Sequence, residues 1–249
     1  MDFMPLNNTI VGLAAGIGLI GIARIVWKLQ VSPSVPDETW VEGFSAEGWA
    51  LVFAPAGFIL TAMGLAITIG WPYRIPAVFD ANILFGEPAL GFGALLLAAA
   101  FYLWKERGIV SRARLWRTLT PVSLYIFALG LMMGACAISW WRYELGAAPP
   151  TEPISGTIVG GHPLIESIPL FVLYGLVALG ALLFPLLTAG RASGRNAGWL
   201  TPQRQATIGT IIYWTWLIAG VVFMLFSALN YYTHIGSLQN DNMHTHYKW

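Results

Sequence analysis

A chain of 249 residues that is 57% hydrophobic and only 10% charged lacks the charge to cover a water-exposed surface, since an average soluble domain is about 25% charged. Its net charge of +1 excludes the basic face that a nucleic-acid partner would require. The single cysteine, Cys136, lies in an apolar stretch and is expected to be buried; alone it forms no internal disulfide and leaves the redox compartment open.

Taken in chain order, the N-terminus Met1-Asp2-Phe3 has no basic n-region, and no small-residue cleavage site follows the first apolar run. That run is therefore expected to be a retained span and not a cleaved signal peptide. A membrane-spanning helix takes about 20 mostly apolar residues. Six stretches qualify: Thr9 to Gln30, Gly48 to Trp71, Asn82 to Trp104, Thr120 to Trp141, Pro163 to Ala189 and Ile208 to Tyr231. Each is apolar round its whole circumference, whereas β-barrel strands would be about 10 residues long and alternating. The expected fold is an all-α, polytopic transmembrane bundle of six spans over residues 1–231, followed by a polar, histidine-containing tail over 232–249.

Orientation follows from the basic residues. Arg24, Lys28, Lys105, Arg107, Arg112, Arg114, Arg117, Arg191, Arg195 and Arg204 all follow the first, third and fifth spans, against Arg74, Arg142 and Lys248 on the other side. Both termini are thus expected on the non-cytoplasmic face of a cell membrane. Trp27, Trp49, Trp71, Trp104, Trp116, Trp140, Trp141 and Trp199 fall near span ends, where an amphipathic ring prefers the headgroup level. Small residues recur at helix-contact spacing, as Gly12 with Gly16 and Gly130 with Gly134, with Gly91 and Gly93 adding a patch to the third span. In lipid such residues let backbones approach, here to pack the bundle itself or to meet another subunit. Pro55, Pro169 and Pro185 lie within spans and are expected to bend them locally. The third and fifth spans both open with a glutamate beside a proline, Glu87-Pro88 and Glu166 through Pro169. The second and third spans could therefore be an ancient duplicate of the fourth and fifth.

Residues able to do chemistry gather at one face. All four histidines, His162, His234, His244 and His246, lie there, with Glu87, Glu166, Asp80 and Asn82. Asn82, Glu87, His162, Glu166 and His234 form the candidate polar or ligand-binding cluster, with the first-turn glutamates expected at one depth. Glu87 also has a structural account, because a carboxylate in a helix's first turn meets the dipole and Pro88 suits the first helical position. Ionisable groups near the bilayer core are costly, however, and usually mark a site. His162 and Glu166, four apart, would share a helix face as a metal half-site, a quinone-headgroup contact or a helix-sealing hydrogen bond. Met243, His244 and His246 are a candidate copper site. A bis-histidine haem is disfavoured, since only His162 and His234 could meet and both lie at span ends. No P-loop, G-x-S-x-G elbow or H-E-x-x-H motif is present.

The run Gly48-Trp49-Ala50-Leu51, an apolar span closing on Gly70-Trp71-Pro72, then Asn82-Ile83-Leu84-Phe85-Gly86-Glu87-Pro88-Ala89-Leu90-Gly91-Phe92-Gly93 resembles an uncharacterised family of bacterial and archaeal membrane proteins. It is number 981 among the domains of unknown function. The N-x-x-F-G-E-P-x-x-x-F-G pattern is the most specific part of the resemblance, which is clear over residues 48–104. It implies a multi-pass helical fold and singles out Asn82, Gly86, Glu87 and Pro88 without implying a reaction.

Three functions fit these observations. An accessory or scaffolding subunit of a larger membrane complex accords with short cytoplasmic loops and with aromatic outer residues, Tyr231, Tyr232, Tyr247 and Trp249, that could anchor a partner. A redox or metal-handling protein would use the outer histidines and glutamates with copper or quinone; no cofactor follows from the sequence alone. A channel or transporter would place Glu87 and Glu166 in an outer vestibule, as duplicated halves often do.

Overall fold

The structure, a computed structural model, describes residues 7–31, 44–69, 82–107, 111–146, 152–189 and 200–243. Its helices are α1 (Asn7–Val31), α2 (Ala46–Ile69), α3 (Glu87–Lys105, entered through a π-turn at Asn82–Gly86), α4 (Arg112–Arg142), the short α5 (Ser155–Ile158), α6 (Pro163–Ala189) and α7 (Pro202–Met243). Six of them are long and apolar enough to cross a bilayer, so the chain is a multi-pass, all-helical membrane protein.

Three boundaries differ clearly from the sequence expectation, one of them the start of α7 at Pro202 rather than Ile208, where Thr201 accepts from the Arg204 backbone N–H at 3.3 Å. α4 begins at Arg112 rather than Thr120, because Ser111 caps it by accepting from the Arg114 backbone N–H at 3.3 Å. The first two turns are too polar to register as a span yet are fully helical. α7 does not stop at Tyr231 but runs to Met243, so the first part of the expected polar tail is helix. At about 1.5 Å per residue this helix is roughly twice as long as the ~30 Å hydrocarbon core.

Three antiparallel pairs carry the packing: α1 with α7, α2 with α3, and α4 with α6. α2 also packs on α1 and α6 on α7, giving the order α3, α2, α1, α7, α6, α4, with a lighter contact from α3 back to α4. The two hairpins therefore join the central pair through different members, the first helix in one and the second in the other. They are not equivalently placed by chain order, as a simple parallel duplication would have them.

Glycine sets the closest approach. A Cβ on Gly16 would lie 2.6 Å from the Gly220 carbonyl oxygen, and one on Gly220 would lie 2.9 Å from that of Gly16. α1 and α7 thus touch backbone to backbone, the contact that supplies packing energy where lipid offers no hydrophobic drive. Gly12 faces Ser227 of α7, and Gly130 faces Ala181 of α6; a Cβ on Gly134 would meet only Ala178 Cβ, at 3.9 Å. Gly57 and Gly64 of α2, with Gly93 of α3, bring that hairpin equally close.

The tryptophans divide by environment. Trp27, Trp104 and Trp141 are exposed as an interfacial belt requires. Trp116 and Trp140 are buried and pack in the two apolar cores, so their positions near span ends reflect helix packing and not headgroup anchoring. Trp71 and Trp199 lie outside the described residues.

Candidate functional site

Both ends of the six-helix path lie on one face, the terminal face; the opposite, basic face carries the arginines and lysines around the α3–α4 turn. The candidate site on the terminal face starts from one residue without an N–H. In an α-helix Pro88 would donate to the Leu84 carbonyl, and in the wider π register to that of Ile83; as proline it can do neither. Both orphaned carbonyls are answered from other helices. The Tyr174 hydroxyl of α6 donates to Leu84 O at 2.7 Å, and Cys136 Sγ of α4 lies 3.9 Å from Ile83 O, a weak thiol donation. Gly86 completes the turn, because a Cβ there would press on Ile67 and Thr68 of α2 at 2.9 Å.

Aromatic rings enclose this turn. Phe85 meets Trp140 edge-on at 5.8 Å, Trp140 meets Tyr174 at 6.1 Å, and Tyr174 meets Phe223 of α7 at 6.0 Å. Such pairs add about 0.5–1.5 kcal/mol each beyond area burial. Asn82 opens the turn from a buried position, with its Oδ1 without a hydrogen-bond partner. Glu87, five residues on, is exposed and within electrostatic reach of Cys136.

Farther out, the α4–α6 junction is closed by Ser167, which accepts from the Gly146 backbone N–H at 2.8 Å and donates to Pro163 O at 2.8 Å. Gly146 fits there because a Cβ would lie 2.8 Å from the Glu166 carbonyl carbon. Glu166 is half-buried at this junction, and His162 is exposed. His162 immediately precedes α6 and takes a backbone role at its start. Its carbonyl accepts from the N–H groups of Ile165 at 3.0 Å and Glu166 at 3.4 Å.

The third group sits on the overhanging end of α7. Glu152 is buried, and its Oε2 accepts from Ile154 N, Ser155 Oγ and Gly156 N at 2.8–2.9 Å. This carboxylate caps α5 and folds the 152–158 segment into a compact clamp. Pro153 fills the space over Gly236 of α7, and Glu152 lies within electrostatic reach of the half-buried His234.

The five expected cluster residues are thus spread over two levels: Asn82 and Glu87 at the turn, and His162, Glu166 and His234 farther out, since the antiparallel α6–α7 register set by Trp216 on Val177 O and over Gly180 brings His234 level with the start of α6. Tyr174 and Leu84 are level, being bonded. Glu166 stands eight residues before Tyr174 on α6, about 12 Å farther out, while Glu87 stands three residues beyond Leu84, about 5 Å farther in. The glutamates do not share a depth, because the α4–α6 hairpin rises well above the start of α3. Among the described residues, no three of His, Cys, Asp and Glu gather to hold a metal ion. Met243 ends α7; His244, His246 and Asp80 lie outside the described residues.

Tyr174 and Glu152 were not singled out by the sequence, and Trp140 only as a residue near a span end. For Tyr174 a signal existed: Pro88, four residues after Leu84, orphans a carbonyl that a buried hydroxyl elsewhere must answer. Neither the curated proteins nor the solved structures offer a match to the chain. A family profile, described as "Protein of unknown function (DUF981)", matches residues 1–237, nearly the whole chain. The matched span contains the whole Asn82–Pro88 turn, the hairpin that answers it and the overhang of α7 as far as Ser237; the chain belongs to the DUF981 family.

Proposed function

We propose that this protein is an accessory or scaffolding subunit of a larger membrane assembly, held in the cell membrane with both termini on the non-cytoplasmic side. The overhang of α7 carries this reading. Gly12 of α1 faces Ser227 and Gly16 faces Gly220 and Met224; carried on, that antiparallel register brings Asn7 level with about Tyr232 at one residue per 1.5 Å on each helix. Beyond that point no described residue of α1 lies beside α7, and the Glu152–Pro153 clamp packs on it instead.

A helix braced in this way stands out past the membrane as a fixed post. Tyr232 is 57% and Ile235 58% exposed on it, with Ile158 of the clamp 63% exposed. An apolar, aromatic surface outside the hydrocarbon region supports docking of a partner subunit. The orientation rests on the ten basic residues of the opposite face.

A photo-crosslinking residue at position 235, activated in native membranes and followed by gentle purification and mass spectrometry, tests the proposal. A discrete protein adduct is expected at 235 and not at the lipid-facing position 124. Adducts to lipid alone at both positions would refute it.

A further inference from the structure

At the basic end of the central helix pair, two buried amide groups ask for an acceptor. Nε2 of Gln30 on α1 and Nε2 of Gln205 on α7 are buried and have no hydrogen-bond partner. Gln205 is 4% exposed. The two are neighbours: the Gln30 carboxamide lies over Gly209, in the space a side chain there would fill, and Gln205 is one turn before Gly209 on the same stripe. The helical tilt of side chains towards the N-terminus aims Gln205 back at the start of α7.

Among the described residues at this end of the bundle cations outnumber carboxylates, and the two carboxylates, Glu47 and Glu106, are each paired with an arginine. α7 begins three residues earlier at Pro202, so its dipole presents a partial positive charge. Arg24 and Lys28 precede Gln30 on α1, and Arg204 adjoins Gln205. A buried water could satisfy the amides, but it would make no use of the surrounding charge. Inward-pointing N–H groups, a helix N-terminus and cations are the donor set of an oxyanion site.

We propose that this end of the α1–α7 pair binds a phosphate group, supplied by an anionic phospholipid headgroup or by free phosphate. Gln30 closes the apolar run of α1, which sets the site at headgroup depth. The proposal is independent of the accessory-subunit reading, because it concerns the opposite face.

The test uses the full chain in nanodiscs of phosphatidylcholine, of phosphatidylcholine with phosphatidylglycerol, or of phosphatidylcholine with added inorganic phosphate, and follows thermal unfolding. Phosphatidylglycerol is expected to raise the melting temperature. Gln30→Leu and Gln205→Leu should each weaken the apparent lipid affinity about tenfold, as loss of one hydrogen bond to a charged group predicts. Melting in phosphatidylcholine alone should hold or rise, since leucine removes a buried unpaired amide. If inorganic phosphate reproduces the rise and the variants abolish it, the site stands with free phosphate as its source. Gln205→Glu, close in shape but negative, should abolish either response and serves if the leucine variants do not accumulate. A phosphatidylglycerol response undiminished in these variants, or no response of the wild type to either phosphate source, overturns the proposal.

Discussion

Tyr174 on α6 gives its hydroxyl hydrogen to the Leu84 carbonyl at 2.7 Å, the acceptor that Pro88 leaves without a helical donor. The bond ties the start of α3 to a helix that follows it by three elements. Its cause is a missing N–H in the chain itself. Tyr174→Phe should therefore cost about 1–3 kcal/mol, the usual penalty for a buried carbonyl left unsatisfied. In a Pro88→Ala background, where residue 88 regains its N–H, the same change should cost much less. Reversible unfolding in mixed detergent micelles measures both, and equal costs in the two backgrounds would separate Tyr174 from Pro88.

The α1–α7 crossing predicts a contrast between glycines. Gly16→Ala would force a methyl against the Gly220 carbonyl, where a Cβ has only 2.6 Å, and should destabilise by about 1–3 kcal/mol as overpacked sites do. Gly134→Ala, with its nearest neighbour at 3.9 Å, should stay within about 0.5 kcal/mol. Similar melting temperatures for the two variants would show that α1 and α7 do not meet at Gly16.

Release of the clamp is a third outcome. Glu152→Ala removes the acceptor of three hydrogen bonds and should speed amide exchange across 152–158 by about tenfold or more, with little change in global melting. Glu152→Gln keeps a carbonyl oxygen there and should have a smaller effect. Unchanged exchange in the alanine variant would mean that the segment is held by Pro153 over Gly236 alone.

Topology is checked by labelling. An epitope tag after Trp249 should be accessible from outside intact cells, and Arg114→Cys should be protected from impermeant thiol reagents. The buried Cys136 should stay silent to the thiol reagent. Labelling of the substituted cysteine from outside would invert the proposed orientation.

The six spans were legible because a bilayer demands the same thing of every crossing helix: enough apolar length, with no water-facing side. The close-contact glycines of α1 were legible for a related reason, since lipid leaves backbone approach as the main adhesive. What was hidden lies at the ends of helices, where hydropathy falls although the helix continues. Only scattered apolar residues, Ile235, Leu238 and Met243, mark residues 233–243 of α7, and the capping Ser111 was masked by the arginines that follow it. The expected common depth of Glu87 and Glu166 was misplaced on the same account. First-turn glutamates at the starts of two apolar runs suggest one depth, but helix height is set by packing, and α6 rises far above the start of α3. Glu152 could not be found from spacing, because its three donors belong to a fold of its own loop.

The pairing of α1 with α7 has a consequence for biogenesis. α1 is made before the two hairpins and finds its main partner in α7 beyond them, so its glycine stripe must wait, covered by lipid or by an insertion factor, while the intervening hairpins enter the membrane. The hairpins α2–α3 and α4–α6 can each zip locally, as neighbours in sequence do. The central pair closes a loop that contains both hairpins, the slow kind of contact in folding. Assembly thus runs from the flanks inward, and a nascent chain halted before residue 202 would hold two formed hairpins beside an unmated first helix.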